Sequence, residues 1–180
     1  KACGRPDALA ASLCQNRSPT IVLLQVGELN LAACDPFEVL APMARAAGAW
    51  THVDGAFGLW ARVCQATRHL VHGVELCDSW TSDAHKYLNV PYDCGFAFVR
   101  NIAAHRAAMS LTASYLPAGG SARAQLDGNP EVSRRGRAFP AYATQRPLGP
   151  DGRAPPGAPT CPPQPAPPAR IEGPTGAGPD

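Results

Sequence analysis

The sequence predicts an α/β fold with a mostly parallel sheet flanked by helices, and two observations support that prediction. Stretches of strand length that are apolar or β-branched alternate along the chain with helical stretches, which is the pattern of parallel strands joined by crossover helices. Residues 20–25 also form a continuous apolar run, as expected of a strand that is covered on both faces.

Strands are predicted over residues 20–25, 50–54, 74–82 and 95–99, and helices within residues 1–17, 35–48, 101–109 and 138–145. The second helix is predicted to begin with Asp35 as its N-cap and Pro36 as its first helical residue, and Gly48 is predicted to end it. Pro42 is expected to kink this helix or to shorten its first half, because proline has no N–H to donate.

Two chemically reactive positions fall at predicted strand ends. Asp54 closes the second strand, and a turn that carries His85 and Lys86 follows the third. Because the carboxyl ends of parallel strands meet at one edge of the sheet, where ligands of such folds bind, both are expected at that edge. The sequence holds only two lysines, Lys1 and Lys86, so Lys86 is the one internal amine that could condense with an aldehyde.

The end of the chain differs in composition from the rest. Residues 147–180 hold 12 of the 20 prolines and six glycines, and their only large aliphatic residues are Leu148 and Ile171. Such a segment cannot bury enough apolar surface to offset its chain entropy. We therefore predict a folded region over residues 1–146 and a disordered tail over residues 147–180.

Charge and cysteine content exclude several classes of partner. A net charge of +2 is too small to indicate a nucleic-acid partner, and no apolar run reaches the roughly 20 residues of a membrane span. The seven cysteines are odd in number and include no Cys-x-x-Cys pair, which favours reduced thiols. These features predict a soluble cytoplasmic protein without a membrane or nucleic-acid partner.

Two sequence blocks carry a family resemblance. Residues 52–60 read HVDGAFGLW and residues 78–95 read DSWTSDAHKYLNVPYDCG, and both resemble the signature blocks of the group II pyridoxal-phosphate-dependent decarboxylases. The resemblance covers roughly residues 19–149. It implies a partial fold-type-I large domain of the aspartate aminotransferase superfamily, pyridoxal 5'-phosphate as cofactor, an L-amino acid as substrate, a carboxy-lyase reaction that releases an amine and CO2, and a homodimer in full-length members.

The resemblance also implies roles for individual residues. Lys86 matches the catalytic lysine that condenses with the cofactor aldehyde, and Asp54 matches the acid that pairs with the pyridinium nitrogen. The other implied cofactor contacts are Ala56 beside the ring, His85 near the phosphate, Ser79 and Asp83 near the phosphate or the lysine turn, and Asn30 in a loop that approaches the cofactor.

The sequence also departs from the family. Bacterial relatives usually have Asn-Thr-Gly where this chain has Asn30-Leu31-Ala32. The family's N-terminal part, which carries the phosphate-cradling turn, and its C-terminal small domain have no counterpart in this sequence. We therefore expect a truncated chain that binds the cofactor weakly and turns over little.

Two other interpretations are open at this point. The chain could be an inactive remnant that acts only as a binding or dimerisation piece, with apolar surface left exposed around residues 57–60. Alternatively, His52 and Asp54 together with Asp83 and His85 could form a metal site, as in metal-dependent hydrolases. The metal interpretation leaves Lys86 unexplained.

Overall fold

A computed structural model describes residues 3–110, 128–131 and 133–146. In chain order the main elements are α1 (Pro6–Gln15), β1 (Ile21–Gln25), α2 (Phe37–Ala46), β2 (Trp50–Asp54), β3 (Ser79–Asp83), α3 (Ala84–Tyr87), β4 (Gly95–Val99), α4 (Ile102–Met109) and α5 (Ala138–Gln145). Three short 3₁₀ helices, Gly58–Arg62, Arg68–Val71 and Val74–Leu76, connect β2 to β3. The predicted tail, residues 147–180, lies outside the described residues.

The strands form one four-stranded sheet in the order β1-β2-β3-β4. β1, β2 and β3 are parallel, whereas β4 runs antiparallel to β3. The antiparallel pair follows from chain length, because the residues between Asp83 and Gly95 are too few for a parallel crossover, which takes a dozen or more. The predicted α/β fold with a mostly parallel sheet flanked by helices is confirmed.

One face of the sheet is packed by α2. Phe37, Leu40 and Ala44 of this helix are almost fully buried against Leu24 of β1 and Val53 of β2. Spacings of three and four residues put these helical side chains on one stripe. Their burial removes apolar surface from water, which is the main favourable contribution to stability here.

The opposite face of β1 is open in the described part of the chain. Ile21 and Leu23 are 65% and 75% exposed, and burial alternates along β1. The prediction that residues 20–25 form a strand covered on both faces is therefore wrong for the described residues, since no described element packs on that side. We call the side marked by Ile21 and Leu23 the open face.

The start of α2 differs from the prediction. Pro36, not Asp35, is the N-cap residue, and the helix begins at Phe37. The Asp35 carboxylate instead accepts a hydrogen bond from the backbone N–H of Gln25 at 2.7 Å and another from Gly4. Asp35 thus ties the end of β1 to the chain start. Pro42 lies inside α2, which is nevertheless one helix from Phe37 to Ala46.

The third strand is shorter than predicted. It begins at Ser79, because Val74–Leu76 forms a 3₁₀ helix that Gly73 enters with a φ of +81°. The Trp80 indole N–H donates to the carbonyl of Val74 at 2.9 Å, which holds this helix against the strand. The predicted strand over residues 74–78 is therefore wrong, since Val74–Leu76 forms a 3₁₀ helix and Cys77, although extended, lies before the start of β3. Among the described residues, no helix has both the length and the apolar character needed to cross a membrane.

Candidate functional site

The carboxyl ends of the three parallel strands lie side by side. Gln25 pairs with Asp54, and Asp54 pairs with Thr81, so the loops after β1, β2 and β3 leave the same edge of the sheet. Asp54 closes β2, and Asp83, which closes β3, is followed directly by α3. The topology therefore brings the Asp54 turn and the Lys86 helix to one edge, although 32 positions separate them in sequence.

Lys86 is held from two sides. Its Nζ lies 2.7 Å from Oδ2 of Asp83, one helical turn earlier, and both side chains are 28% exposed. The same Nζ lies 3.8 Å from the centroid of the Phe57 ring, a distance at which an ammonium is attracted by the face of the ring. Because Phe57 belongs to the loop after β2, this contact joins the Asp54 turn to the Lys86 helix.

Asp54 keeps one carboxylate oxygen available. Its Oδ1 accepts a hydrogen bond from the Ala56 N–H at 3.0 Å, which fixes the turn after β2. Asp54 is exposed, and its Oδ2 makes no hydrogen bond with the described residues. The carboxylate is thus oriented by its own turn and can accept a further cationic or N–H partner.

Two glycines allow this turn to approach the neighbouring backbone. Gly55 donates to the carbonyl of Thr81 at 2.9 Å, and a Cβ at Gly55 would lie 2.8 Å from that oxygen. A Cβ at Gly58 would lie 2.6 Å from the carbonyl oxygen of Val26. The segment that carries Ala56 and Phe57 is therefore fixed at both ends by contacts that leave no room for a side chain.

The His85 ring is anchored on the other side of α3. Its Nδ1 lies within hydrogen-bonding distance of the backbone of Cys94, 3.1 Å from the N–H nitrogen and 2.9 Å from the carbonyl oxygen. Its Nε2 lies 3.9 Å from Oδ2 of Asp83, and the edge of the ring meets Tyr92 at 4.6 Å between centroids. Nε2 is therefore the ring nitrogen that faces the acidic side of the lysine turn.

Ser79 lies at the other end of β3. Its buried hydroxyl accepts a hydrogen bond from the Trp50 indole at 2.8 Å and lies 2.8 Å from Nδ1 of His52. Ser79 and Asp83 are four positions apart along β3, which is about 13 Å at the usual rise per residue. The structure thus groups Ser79 with His52 and not with Lys86.

The four residues of the alternative metal site, His52, Asp54, Asp83 and His85, do not form a metal-binding group. Among the described residues, no group of three or more His, Cys, Asp and Glu side chains could hold a metal ion. His52 is engaged by Ser79 through Nδ1, and its Nε2 lies 3.5 Å from the hydroxyl of Thr81.

Asn30 lies in the loop after β1, at the same edge as Asp54. Its side-chain amide donates to Oε1 of Glu28 at 2.6 Å, and the N–H of Leu31 donates to Oε2 at 2.9 Å. Hydrogen bonds from the backbone of Asn30 and Leu31 hold the pKa of Glu28 below its ordinary value. Ala32 has a φ of +52°, in the left-handed region that favours glycine. Ala32 therefore adopts a backbone conformation that is unfavourable for a residue with a Cβ.

Sequence reasoning missed Phe57 and Glu28 as members of this edge. The sequence predicts no role for Phe57 at the site, because its contact with Lys86 depends on the distance between the loop after β2 and α3, which the sequence does not give. The available signal was its place in the first block, three residues after Asp54. Glu28 had no signal beyond lying in the same loop as Asn30.

Comparison with known proteins gives a consistent result. Residues 6–154 match the family described as the pyridoxal-dependent decarboxylase conserved domain. The chain is 32% identical over 143 residues to 4-hydroxyphenylacetaldehyde synthase from Rhodiola rosea, covering 79% of this chain and 29% of the relative. It is 30% identical over 155 residues to L-tyrosine/L-DOPA decarboxylase 2 from Lophophora williamsii, covering 82% and 30%.

A solved structure is similar as well. The crystal structure of Oryza sativa TDC with PLP and tryptamine superposes with a TM-score of 0.76 at 28% identity, covering 83% of this chain and 32% of that one. The chain thus spans about 30% of the length of the curated relatives that it matches.

Proposed function

The chain belongs to the pyridoxal-dependent decarboxylase family, and from this premise we propose that Lys86 and Asp54 bind pyridoxal 5'-phosphate for the decarboxylation of an L-amino acid. The observation that supports the proposal best is the shared sheet edge, where Phe57 of the Asp54 turn contacts the Lys86 amine at 3.8 Å. A nucleophilic amine and an acid with one available oxygen are thereby held at the carboxyl ends of neighbouring strands, Asp54 at the end of β2 and Lys86 in the helix that follows β3.

The residues at this edge suit the cofactor. When bound, pyridoxal phosphate supplies an aldehyde carbon that an amine can attack and a ring that accepts electrons from the substrate. Lys86 supplies an amine that is partly exposed, so its proton can pass to solvent before the nitrogen lone pair reacts. Asp54 has Oδ2 available to hold a proton on the ring nitrogen by ion pairing.

The remaining contacts are proposed with different support. Ala56 is small and its N–H orients Asp54, which fits a residue beside the ring. His85 presents Nε2 next to Asp83, and Asn30 lies in a loop at the same edge, so all three are proposed cofactor contacts. Ser79 is left out of the proposed site, because its hydroxyl is buried against Trp50 and His52.

The reaction outcome is proposed only as a class. One relative is named an aldehyde synthase and another a decarboxylase, so the names of two similar proteins indicate different reaction products. We propose decarboxylation because the matched family is described by that reaction. The side chain of the amino acid is left unspecified.

The proposal is tested by trapping the cofactor on the lysine. The purified chain is mixed with pyridoxal phosphate and reduced with borohydride, and the peptides that carry Lys1 and Lys86 are quantified by mass spectrometry. We expect a pyridoxyl group on Lys86 well above Lys1, and an imine absorbance band that is lost in Lys86→Arg. Asp54→Asn should raise the concentration of pyridoxal phosphate that is needed to saturate the band. Equal modification of the two lysines would refute the assignment.

A second candidate function is a binding or dimerisation piece. Ile21 and Leu23 leave an apolar stretch of β1 at 65% and 75% exposure, and adjacent exposed apolar residues of this kind are typical of interaction surfaces. A homodimer formed through the open face is therefore proposed as the alternative role of this chain.

A further inference from the structure

We propose that Phe57 is a positioning residue that, together with Asp83, clamps the Lys86 amine and slows its reaction with an aldehyde. The inference rests on the proposed function, because it concerns how the same lysine becomes available. Phe57 lies within the first sequence block, but the family resemblance implies no contact between Phe57 and the lysine.

The clamp has two arms of different chemistry. Asp83 Oδ2 contacts Nζ at 2.7 Å, and the Phe57 ring lies 3.8 Å from Nζ. A carboxylate and an aromatic face are both partners of an ammonium. To attack a carbonyl carbon, the nitrogen must lose a proton to solvent and present its lone pair, so it must leave both partners.

The two arms come from different parts of the fold, so only the tertiary structure brings them to the same nitrogen. Asp83 is the last residue of β3, whereas Phe57 lies in the loop after β2. The backbone on either side of Phe57 is fixed by close contacts. Gly55 packs against the backbone of Thr81, and Gly58 packs against the backbone of Val26. The ring is therefore held over Nζ by the fold rather than by a flexible surface contact.

Asp83 also has a second partner when the lysine leaves. Its Oδ2 lies 3.9 Å from Nε2 of His85, so the carboxylate that loses Lys86 remains next to a group that can donate to it. The Phe57 ring has no such exchange partner among the described aromatic and cationic contacts. Loss of the ring should therefore leave the amine held by Asp83 alone, without a compensating contact for the one that is lost.

The test measures amine reactivity without the cofactor. N-hydroxysuccinimidyl acetate acylates a lysine when Nζ attacks the ester carbonyl: an amide bond forms, N-hydroxysuccinimide leaves and the amine proton passes to water. Because Lys1 and Lys86 are the only lysines, peptide mapping gives the Lys86 rate, with the Lys1 peptide reporting reagent dose in the same sample.

We expect Phe57→Leu to raise the Lys86 acylation rate by about two- to five-fold, the factor that corresponds to an exposed cation–π contact. Phe57→Tyr keeps the ring and should keep the wild-type rate. Asp83→Asn should raise the rate by a similar factor. Phe139→Leu removes an exposed aromatic residue of α5 and serves as the matched control without an effect.

The outcomes separate this inference from the proposed function. A Phe57→Leu rate equal to wild type, or a Phe57→Tyr rate as high as that of Phe57→Leu, would overturn the clamp. Circular dichroism under native conditions should be the same for all variants, and a variant with an altered spectrum is unfolded. In urea, where every chain is unfolded, the Lys86 acylation rate should also be the same for all variants. If the clamp variants react faster yet pyridoxal phosphate never modifies Lys86, the clamp stands and the cofactor proposal fails.

Discussion

A single methyl group at Gly58 should disturb both the fold and the site. A Cβ at this position would lie 2.5 Å from Cγ1 of Val26, 2.6 Å from its carbonyl oxygen and 2.7 Å from its carbonyl carbon. Val26 is almost fully buried, and Gly58 donates its N–H to the same carbonyl at 3.2 Å. The substitution Gly58→Ala therefore forces apart two backbone segments and not only two side chains.

The magnitude follows from the kind of contact. Overpacking a filled interior costs about 1–3 kcal/mol when neighbours must shift. Two of the three close atoms are backbone, so we expect Gly58→Ala to lower the free energy of unfolding by about 2 kcal/mol or more. Gly136→Ala is the matched control, because a Cβ there meets nothing within 4 Å, and its effect should stay within about 0.5 kcal/mol.

Urea unfolding followed by tryptophan fluorescence measures the difference, with Trp60 close to the altered position in the 3₁₀ helix Gly58–Arg62. The slope of the transition should be unchanged if only native-state stability falls. The same variant should acylate Lys86 faster under native conditions, because Phe57 is the neighbour of Gly58. If Gly58→Ala unfolds at the same urea concentration as Gly136→Ala, the close approach to Val26 is not tight and the reasoning is wrong.

Two further predictions concern the core and the open face. Burial raises the pKa of the Cys77 thiol from 9.0 to about 11. This thiol therefore ionises at a lower pH in the unfolded chain than in the folded one, so its contribution to the free energy of unfolding is fully present below pH 9 and is lost as the pH rises to 11. Urea titrations should show wild type losing about 2–3 kcal/mol more than Cys77→Ala over that window, whereas parallel curves would contradict the prediction. If the open face mediates self-association, Leu23→Ser should lower the average molecular mass measured by sedimentation equilibrium. The control Phe139→Ser, which alters a residue 78% exposed on α5, should leave that mass unchanged. Equal masses for the two variants would exclude the open face as the interface.

The elements that the sequence predicts well are those set by local periodicity. α2 and β2 are found where spacing and β-branched residues place them, and the placement of Asp54 and Lys86 at one edge follows once the strands are parallel. The errors arise where a distant contact decides the conformation. Asp35 was predicted to cap α2 because of its position in sequence, but its carboxylate is used by Gln25 of β1.

The start of β3 shows the same limit. Residues 74–78 have strand-like composition, yet Gly73 adopts a positive φ and the chain turns through a 3₁₀ helix before Ser79. Gly73 is needed there because a Cβ would lie 2.6 Å from the backbone nitrogen of Glu38 in α2. A tertiary close approach, invisible in local sequence, thus overrides the local preference for strand.

The two principal residues of the site differ in what must change before they can act. Asp54 Oδ2 makes no hydrogen bond with the described residues, and the Ala56 N–H already orients the carboxylate, so a new partner can be accepted without rearrangement. Lys86 must first leave both Asp83 and Phe57. If the proposed function holds, a change at Asp54 should therefore appear in the affinity for the cofactor and a change at Phe57 in the rate at which the lysine reacts. The same shared edge explains both effects, because the parallel pairing of β2 and β3 places Asp54 at the end of one strand and Lys86 in the helix after the next, where its amine contacts the Phe57 ring.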